Sequence, residues 1–546
     1  MRSLPRHAVV LAAAFFVITP FGCRQPHAMT SPTPRDPSTR SLPHIDPDLD
    51  PARYAAREAD WRVGPIVYQV FVDRYVPPAN PEQQAKFFTA PRVFNRDWTK
   101  TPEPGTRVPE LGCFSHELEF WGGDLAGVAS KADYLASLGV DVLYLNPIHA
   151  AYTNHKYDAQ DYAEVSPEYG TRDDVKSLAR ACRERGMKFM LDGVFNHMGR
   201  TAPRFQRALA DPSSSDRSWF IFDPACKLGY RAWYNVPNLP EINLEDAEVR
   251  AHIWEAPDSV VRGYLRDGVD GWRLDVAYDI GPEMLSQITA AAHAERPGSA
   301  IIGEIWNAPE PWMPALDGLM NFHQRQILLD WFDAKINGAR AADLLDLMVS
   351  DTGIEHILKC WTVLDNHDTA RLDPRLPDPM VRKLARVLQF TLPGAPCVYY
   401  GSEVEMQGAD DPRNRAPMRW DLVNDANPDL AFFKSLVKLR KDHRALRVGD
   451  WRRLSSQRLF AFLRFTDKWK DSVIVLANAE ALPVREVIPV RDGRMMNFAP
   501  LKDLLSGTEV KVRTGLIEVE VPARTAMVLV PTEPAPPEYT PYKRVR

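Results

Sequence analysis

Eight short apolar runs, each separated from the next by stretches with helical spacing, constrain this chain more than any other feature. The runs are IVYQVFV (66–72), VDVLYLNPI (140–148), KFMLDGVF (188–195), GVDGWRLDV (268–276), AIIGEIW (300–306), GLMNF (318–322), CWTVLDN (360–366) and PCVYYGSEV (396–404). Between them, stretches such as SKADYLASLG (130–139), DDVKSLARACRERG (173–186), EMLSQITAAAHAERPG (283–298) and MVRKLARVLQFTLPG (380–394) carry apolar residues three and four apart and stop on glycine. Eight such βα repeats over about 370 residues predict an α/β fold, a (β/α)8 barrel with insertions.

The rest of the chain divides around that repeat. The barrel is predicted over 64–446. Within it, 198–243 lacks clear helical periodicity and is too long for an ordinary loop, so it reads as a small excursion domain after the third strand. After a last helix, PDLAFFKSLVKLRKDH (428–443), the apolar period becomes two in LFAFLRFT (459–466), DSVIVLANA (471–479) and IEVEVPARTAMVLVP (517–531), which predicts an antiparallel β-sandwich over 447–531. Proline is abundant, 47 of 546 residues, and concentrates near both ends and in 76–109, the segments expected to be irregular.

Residues 1–23 have the layout of an export signal: Arg2 and Arg6, an apolar run over 8–18, then Gly22-Cys23. The run is shorter than the ~20 residues that span a bilayer. Cys23 after a small residue is similar to the lipid-attachment site of bacterial lipoproteins, although Pro20 and Phe21 depart from it, so the expected destination is periplasm, cell envelope through a lipidated Cys23, or the medium. Residues 24–63 then read as a flexible tether and 532–546 as a disordered tail. With 45% hydrophobic and 25% charged residues and a net charge of −5 of mixed sign, the chain reads as a folded soluble body with no electrostatic case for nucleic acid. Of the six cysteines, Cys182, Cys360 and Cys397 sit in apolar patterns that predict buried thiols. Cys113 and Cys226 lie in loop-like contexts where an oxidising compartment would allow pairing.

Chemistry concentrates at strand ends. The fourth run ends in Arg273-Leu274-Asp275, the fifth holds Gly303-Glu304, and the seventh is followed by His367-Asp368. In a (β/α)8 barrel the carboxyl ends of the strands form the functional face, so three acids distant in sequence converge there. Two acids suffice to cleave a glycosidic bond, one attacking the anomeric carbon and the other protonating the leaving oxygen, with no metal or organic cofactor required. Arg273, two residues before Asp275, shares its strand face and is expected to keep that carboxylate ionised. Glu304 must instead hold a proton in the resting site, through burial and charged neighbours.

These motifs resemble the alpha-amylase family, glycoside hydrolase family 13, from about Gly64 to Pro531. DGVFNH (192–197), GWRLDVA (271–277), IGEIW (302–306) and LDNHDTAR (364–371) match its strand motifs in order. WGGDLAGV (121–128), NHKYDAQDY (154–162), LPEIN (239–243) and GSEVEMQGADDPRNRAPM (401–418) match further ones. The resemblance implies a retaining α-glucan hydrolase with Asp275 as nucleophile, Glu304 as general acid/base and Asp368 holding and distorting the bound sugar. It further implies Tyr157 stacking on that sugar, with His197, Arg273 and His367 hydrogen-bonding it. It allows a structural calcium ion, since Asn196 matches a calcium ligand in many members, with no partner carboxylate assigned. The wording is nearest to the neopullulanase and cyclomaltodextrinase group, which carries an extra N-terminal β-sandwich longer than 24–63 can supply. That group also tends to have Asn-Glu where this chain has Tyr278-Asp279. The implied substrate is an α-glucan or malto-oligosaccharide. Glucosyl transfer or disaccharide isomerisation would use the same residues. A non-catalytic glycan-binding surface protein would have lost at least one acid, and all three are present.

Overall fold

The computed structural model describes residues 49–532. The export signal, Cys23, residues 24–48 of the tether and residues 533–546 of the tail lie outside the described residues.

All eight apolar runs form strands: β1 (Val67–Val70), β2 (Val142–Leu145), β3 (Lys188–Gly193), β4 (Gly271–Leu274), β5 (Ala300–Ile305), β6 (Gly318–Asn321), β7 (Trp361–Val363) and β8 (Ala395–Tyr399). They pair in parallel and in sequence order, and β8 returns to β1 through Val67↔Cys397 to close the barrel. Side chains at alternate positions point inward. Val67, Val142, Tyr144, Met190, Ile302, Met320 and Cys397 fill the interior as one apolar cluster, while Tyr68, Leu143, Leu191, Trp272 and Ile301 belong to the larger cluster under the helices. The inward series changes character toward the carboxyl ends. Met190 is followed two residues on by Asp192, Ile302 by Glu304, and Gly271 by Arg273 and then Asp275. The site is therefore the top layer of the barrel's own filling.

Helix α1 (Pro51–Ala59) stands where a flexible tether was expected, so residues 49–63 are a correction to that reading. Asp50 caps it, Pro51 opens it, and only Tyr54 and Arg57 are buried. Its anchor is polar: Tyr54 Oη donates to Asp450, and Arg57 donates to Val448 O (2.7 Å), Glu355 and Asp450. A helix held by hydrogen bonds leaves little apolar periodicity to read. Of the other predicted helices, 130–139 forms over Ala132–Leu138, and the rest form as α2 (Arg172–Glu184), α3 (Pro282–Glu295), α4 (Pro379–Thr391) and α5 (Pro428–Asp442). Thr171 caps α2 in a reciprocal box with Asp174, and Val175, Leu178, Ala179 and Cys182 form its buried stripe.

Residues 76–120 contain no element longer than four residues, in keeping with their prolines. The 198–243 excursion does contain a helix, Pro203–Ala210, which the sequence reading missed because two turns offer only Phe205 and Ala208 as inward positions. Phe205 packs against Phe220 and Tyr230, ring centroids 4.9 Å apart in each case, in a cluster continuous with the barrel's outer core. All five described cysteines are free thiols, which corrects the pairing considered for Cys113 and Cys226. Burial pushes Cys113, Cys182 and Cys360 up to about 12.

The C-terminal strands are β9 (Asp450–Arg453), β10 (Phe460–Phe465), β11 (Val473–Asn478), β12 (Val484–Pro489), β13 (Pro500–Asp503), β14 (Glu509–Lys511), β15 (Leu516–Val521) and β16 (Thr525–Pro531). Six make one antiparallel sheet, β9-β10-β11-β16-β13-β14, and β12 pairs with β15. Period two sorts β10 and β11. Ala461, Leu463, Ile474 and Leu476 pack toward β12 and β15, whereas Phe460, Phe462, Val473 and Val475 join the barrel's outer core. Phe460 stacks on Trp331 at 5.1 Å. With both faces covered, this sheet shares a core with the barrel.

Candidate active site

β4 and β3 build the centre of the mouth. Their register sets Arg273 opposite Asp192, and the Arg273 Nη1 donates to both oxygens of Asp192, at 2.7 and 2.9 Å, and to Asp275 Oδ1 at 2.9 Å. Arg273 Nη2 lies 3.0 Å from Glu304 Oε2, an ion-pair contact not aligned as a hydrogen bond. One fully buried guanidinium thus serves three buried carboxylates. It cannot neutralise them all. Burial pushes Asp275 well above the usual carboxylate range; Arg273 opposes this, while Glu304, Asp192 and Asp368 add to it. Arg273, expected to keep Asp275 ionised, donates to it and opposes the upward push of burial while sharing its donors with Asp192 and Glu304.

The backbone after Asp275 is strained toward this cluster. Val276 adopts φ 39° and ψ 46°, a left-handed conformation that a β-branched residue rarely takes. Its N–H donates to Glu304 Oε2 at 3.0 Å, and the indole Nε1–H of Trp306 donates to Glu304 Oε1 at 2.9 Å. Both oxygens of Glu304 are therefore fixed.

His197 leaves β3 with its ring buried and Nε2 without a partner, 3.9 Å from Asp275 Oδ2. Burial pushes this imidazole down to about 3, so it is neutral. Asn196 Nδ2 approaches His197 Nδ1 at 3.3 Å, which assigns the ring proton to Nε2, on the side of Asp275. Asn196 is thus turned to histidine, and the described residues contain no group of three or more His, Cys, Asp or Glu side chains that could hold a metal ion.

Across the mouth, β7 ends early and Asn366 to Asp368 lie in its loop. Asp368 is a third exposed; what desolvation it suffers is outweighed by His367, with Nε2 3.0 Å from Oδ2, and by Arg415, which together hold the carboxyl well below its usual range. His367 Nδ1 meets Gln69 at 2.9 Å on β1, and its ring stacks on Tyr157 at 5.2 Å and 6°. Tyr157 Oη donates to Asp192 (2.9 Å), accepts from Asn146 Nδ2 (2.9 Å) and touches His367 Nε2 (2.6 Å). Its loop is held from behind by Lys156, a fully buried cation with φ 66° that pairs with Glu168, which Arg92 also reaches. All seven residues singled out in the sequence are thus brought to one mouth.

Four participants were missed. Asp192 is the hub for Arg273, Tyr144 and Tyr157, and its position two residues above an inward Met was the available signal. Asn414 and Arg415 bond the His367 and Thr369 carbonyls from the loop after β8. Trp306 is half exposed, and only its i+2 spacing from Glu304 marked it.

Paired acids around a guanidinium, with imidazoles and an aromatic face beside them, are the equipment of a glycosidase. Residues 88–429 match the family described as alpha amylase, catalytic domain. The chain belongs to the alpha-amylase family and is a glycoside hydrolase. It is similar to a cyclomaltodextrinase of Bacillus sp, 33% identical over 428 residues that cover 74% of each chain. Neopullulanase 2 of Thermoactinomyces vulgaris is 28% identical over 493 residues, 86% of this chain and 78% of the relative. Among solved structures, the ligand-free cyclic alpha-maltosyl-(1→6)-maltose hydrolase of Arthrobacter globiformis superposes with a TM-score of 0.71 at 26% identity, covering 87% of this chain and 99% of that one.

Proposed function

We propose that this glycoside hydrolase cleaves α-glucosidic bonds of starch-derived oligosaccharides with retention of configuration. The observation that carries the reading is the unequal treatment of the Asp275 oxygens. Oδ1 accepts from Arg273, whereas Oδ2 has no donor aligned on it among the described residues and lies 3.9 Å from His197 Nε2. Asp275 Oδ2 attacks the anomeric carbon as the bond to the leaving oxygen breaks, and that oxygen takes the proton of Glu304. Glu304, now a carboxylate, takes a proton from water. The water oxygen attacks the same carbon and releases Asp275. Asp368, His197 and His367 bind the sugar hydroxyls and Tyr157 packs on its ring, which positions the reacting carbon. The relatives' names, cyclomaltodextrinase, neopullulanase and a hydrolase of a cyclic maltosyl-maltose, support short α-glucans, cyclic ones among them, as the substrate class.

The residues 1–23 carry the further reading that the mature enzyme works outside the cytoplasm. Rapid proton NMR of maltotriose digestion tests the chemistry. The α anomer is expected first, and a β anomer released first would overturn the reading. The same experiment resolves hydrolysis from glucosyl transfer by whether products longer than maltotriose accumulate.

A further inference from the structure

Glu304 lies in β5 and Trp306 directly follows its last residue, Ile305, two positions on and with the same inward parity, so the indole folds back over the acid. The β5–β6 register, Ile305↔Asn321, carries on to Trp306 beside Phe322. The two rings stack at 3.7 Å and 7°, while the indole remains 56% exposed on its other face. The indole is thus backed by a buried ring, and its N–H has one direction available, toward Glu304 Oε1 at 2.9 Å.

The two oxygens of Glu304 are not equivalent. Oε2 accepts from the Val276 N–H and lies 3.0 Å from the Arg273 guanidinium, so both of its near neighbours are donors. A proton on Oε2 would point at a donor. Oε1 has a single neutral donor and a lone pair to spare. We propose that Trp306 is a positioning residue for the proton transfer. Its indole N–H occupies one lone pair of Glu304 Oε1, confines the acid proton to the other, and stabilises the carboxylate left when that proton moves to the leaving oxygen. The proposal rests on Glu304 being the general acid. The charged groups set against that carboxyl are Arg273 on β4, 3.0 Å from Oε2, and Asp275 just past the end of the same strand. Among the described residues the indole is the one neutral donor to Oε1.

Trp306→Phe tests this, because the phenyl ring keeps an aromatic face against Phe322 and toward the sugar and lacks only the N–H. A hydrogen bond to a charged form favours that form, so its loss should make the acid hold its proton to higher pH. The basic limb of kcat/KM on maltotriose is expected to move up by about one pH unit, with kcat down roughly tenfold and KM little changed. A ring that served only as a sugar platform would change KM and leave the limb in place. An unmoved or lowered limb, or turnover lost at every pH, overturns the proposal. A wild-type enzyme that releases the β anomer first overturns the reading of Glu304 instead, and the two failures are separate.

Discussion

Arg440 and Arg464 at the base of the barrel and Asp192, Asp275 and Glu304 at its mouth are all buried, yet their partners differ in kind. At the base, Arg440 donates to the carbonyls of Phe390, Gly64 and Gly394, and Arg464 to those of Thr391, Leu446 and Gly449. These carbonyls include the last ones of α4, where the helix dipole is negative, so the cations close backbone ends that would otherwise be buried unpaired. Burial still pushes Arg440 down to about 9. At the mouth the charges face one another across a shared guanidinium, and donors such as His197 Nε2 have no partner. The same fold thus holds charge at one end for closure and at the other in a state that a substrate completes.

Substitutions that leave shape intact should separate the two ends. Asp275→Asn removes the attacking oxygen, and kcat on maltotriose should fall by about 10⁴-fold or more with no loss of thermal stability. A variant with near-normal turnover would place the chemistry elsewhere. Arg464→Met at the base should do the reverse. It removes the guanidinium from the carbonyls of Thr391, Leu446, Gly449 and Asp450 and is expected to lower unfolding stability by about 3 kcal/mol, read as a urea midpoint, while kcat per folded molecule stays unchanged.

The Lys156–Glu168 pair sharpens the contrast, because it stands at the mouth but is closed like the base. Burial opposes ionisation of Glu168, yet Lys156 and Arg92 outweigh it and pull the carboxyl down from 4.5 to about 2. Burial likewise pushes Lys156 down, but that cation stays charged throughout the acid range, so Glu168 sets the acid behaviour. A depressed folded pKa means stability present in full above about pH 4.5 and lost as pH falls toward 2, on the order of 2 kcal/mol. Wild type should therefore lose more stability than Glu168→Gln between pH 5 and pH 3 in urea titrations. Equal losses would show that the pair does not hold the Tyr157 loop.

How much of this was legible follows from which force holds each part. The barrel strands announced themselves because both faces are apolar, and Asp275, Glu304 and Asp368 stood out as charges at the ends of such runs. β10, β11, β15 and β16 were visible through period two, while β12, β13 and β14 were not, since their exposed faces and short lengths dilute the alternation. Helix α1 was hidden because its attachment is polar and distant. Asp192 and Trp306 were present inside quoted motifs, but their roles depend on a register and a ring stack between strands, which spacing within one strand does not encode.

That polar attachment of α1 has a consequence for how the chain is made. Tyr54 and the Asp450 it binds are 396 residues apart. At ~5–20 residues per second, a ribosome delivers the second partner about 20 to 80 s after the first. Until then the leading helix has nothing to dock on, β1 has no β8 to close against, and the sheet that covers the barrel flank does not exist. The finished body can assemble only after nearly all of it has been synthesised, so its first segments spend the whole of translation in a state that other machinery can still hold or thread.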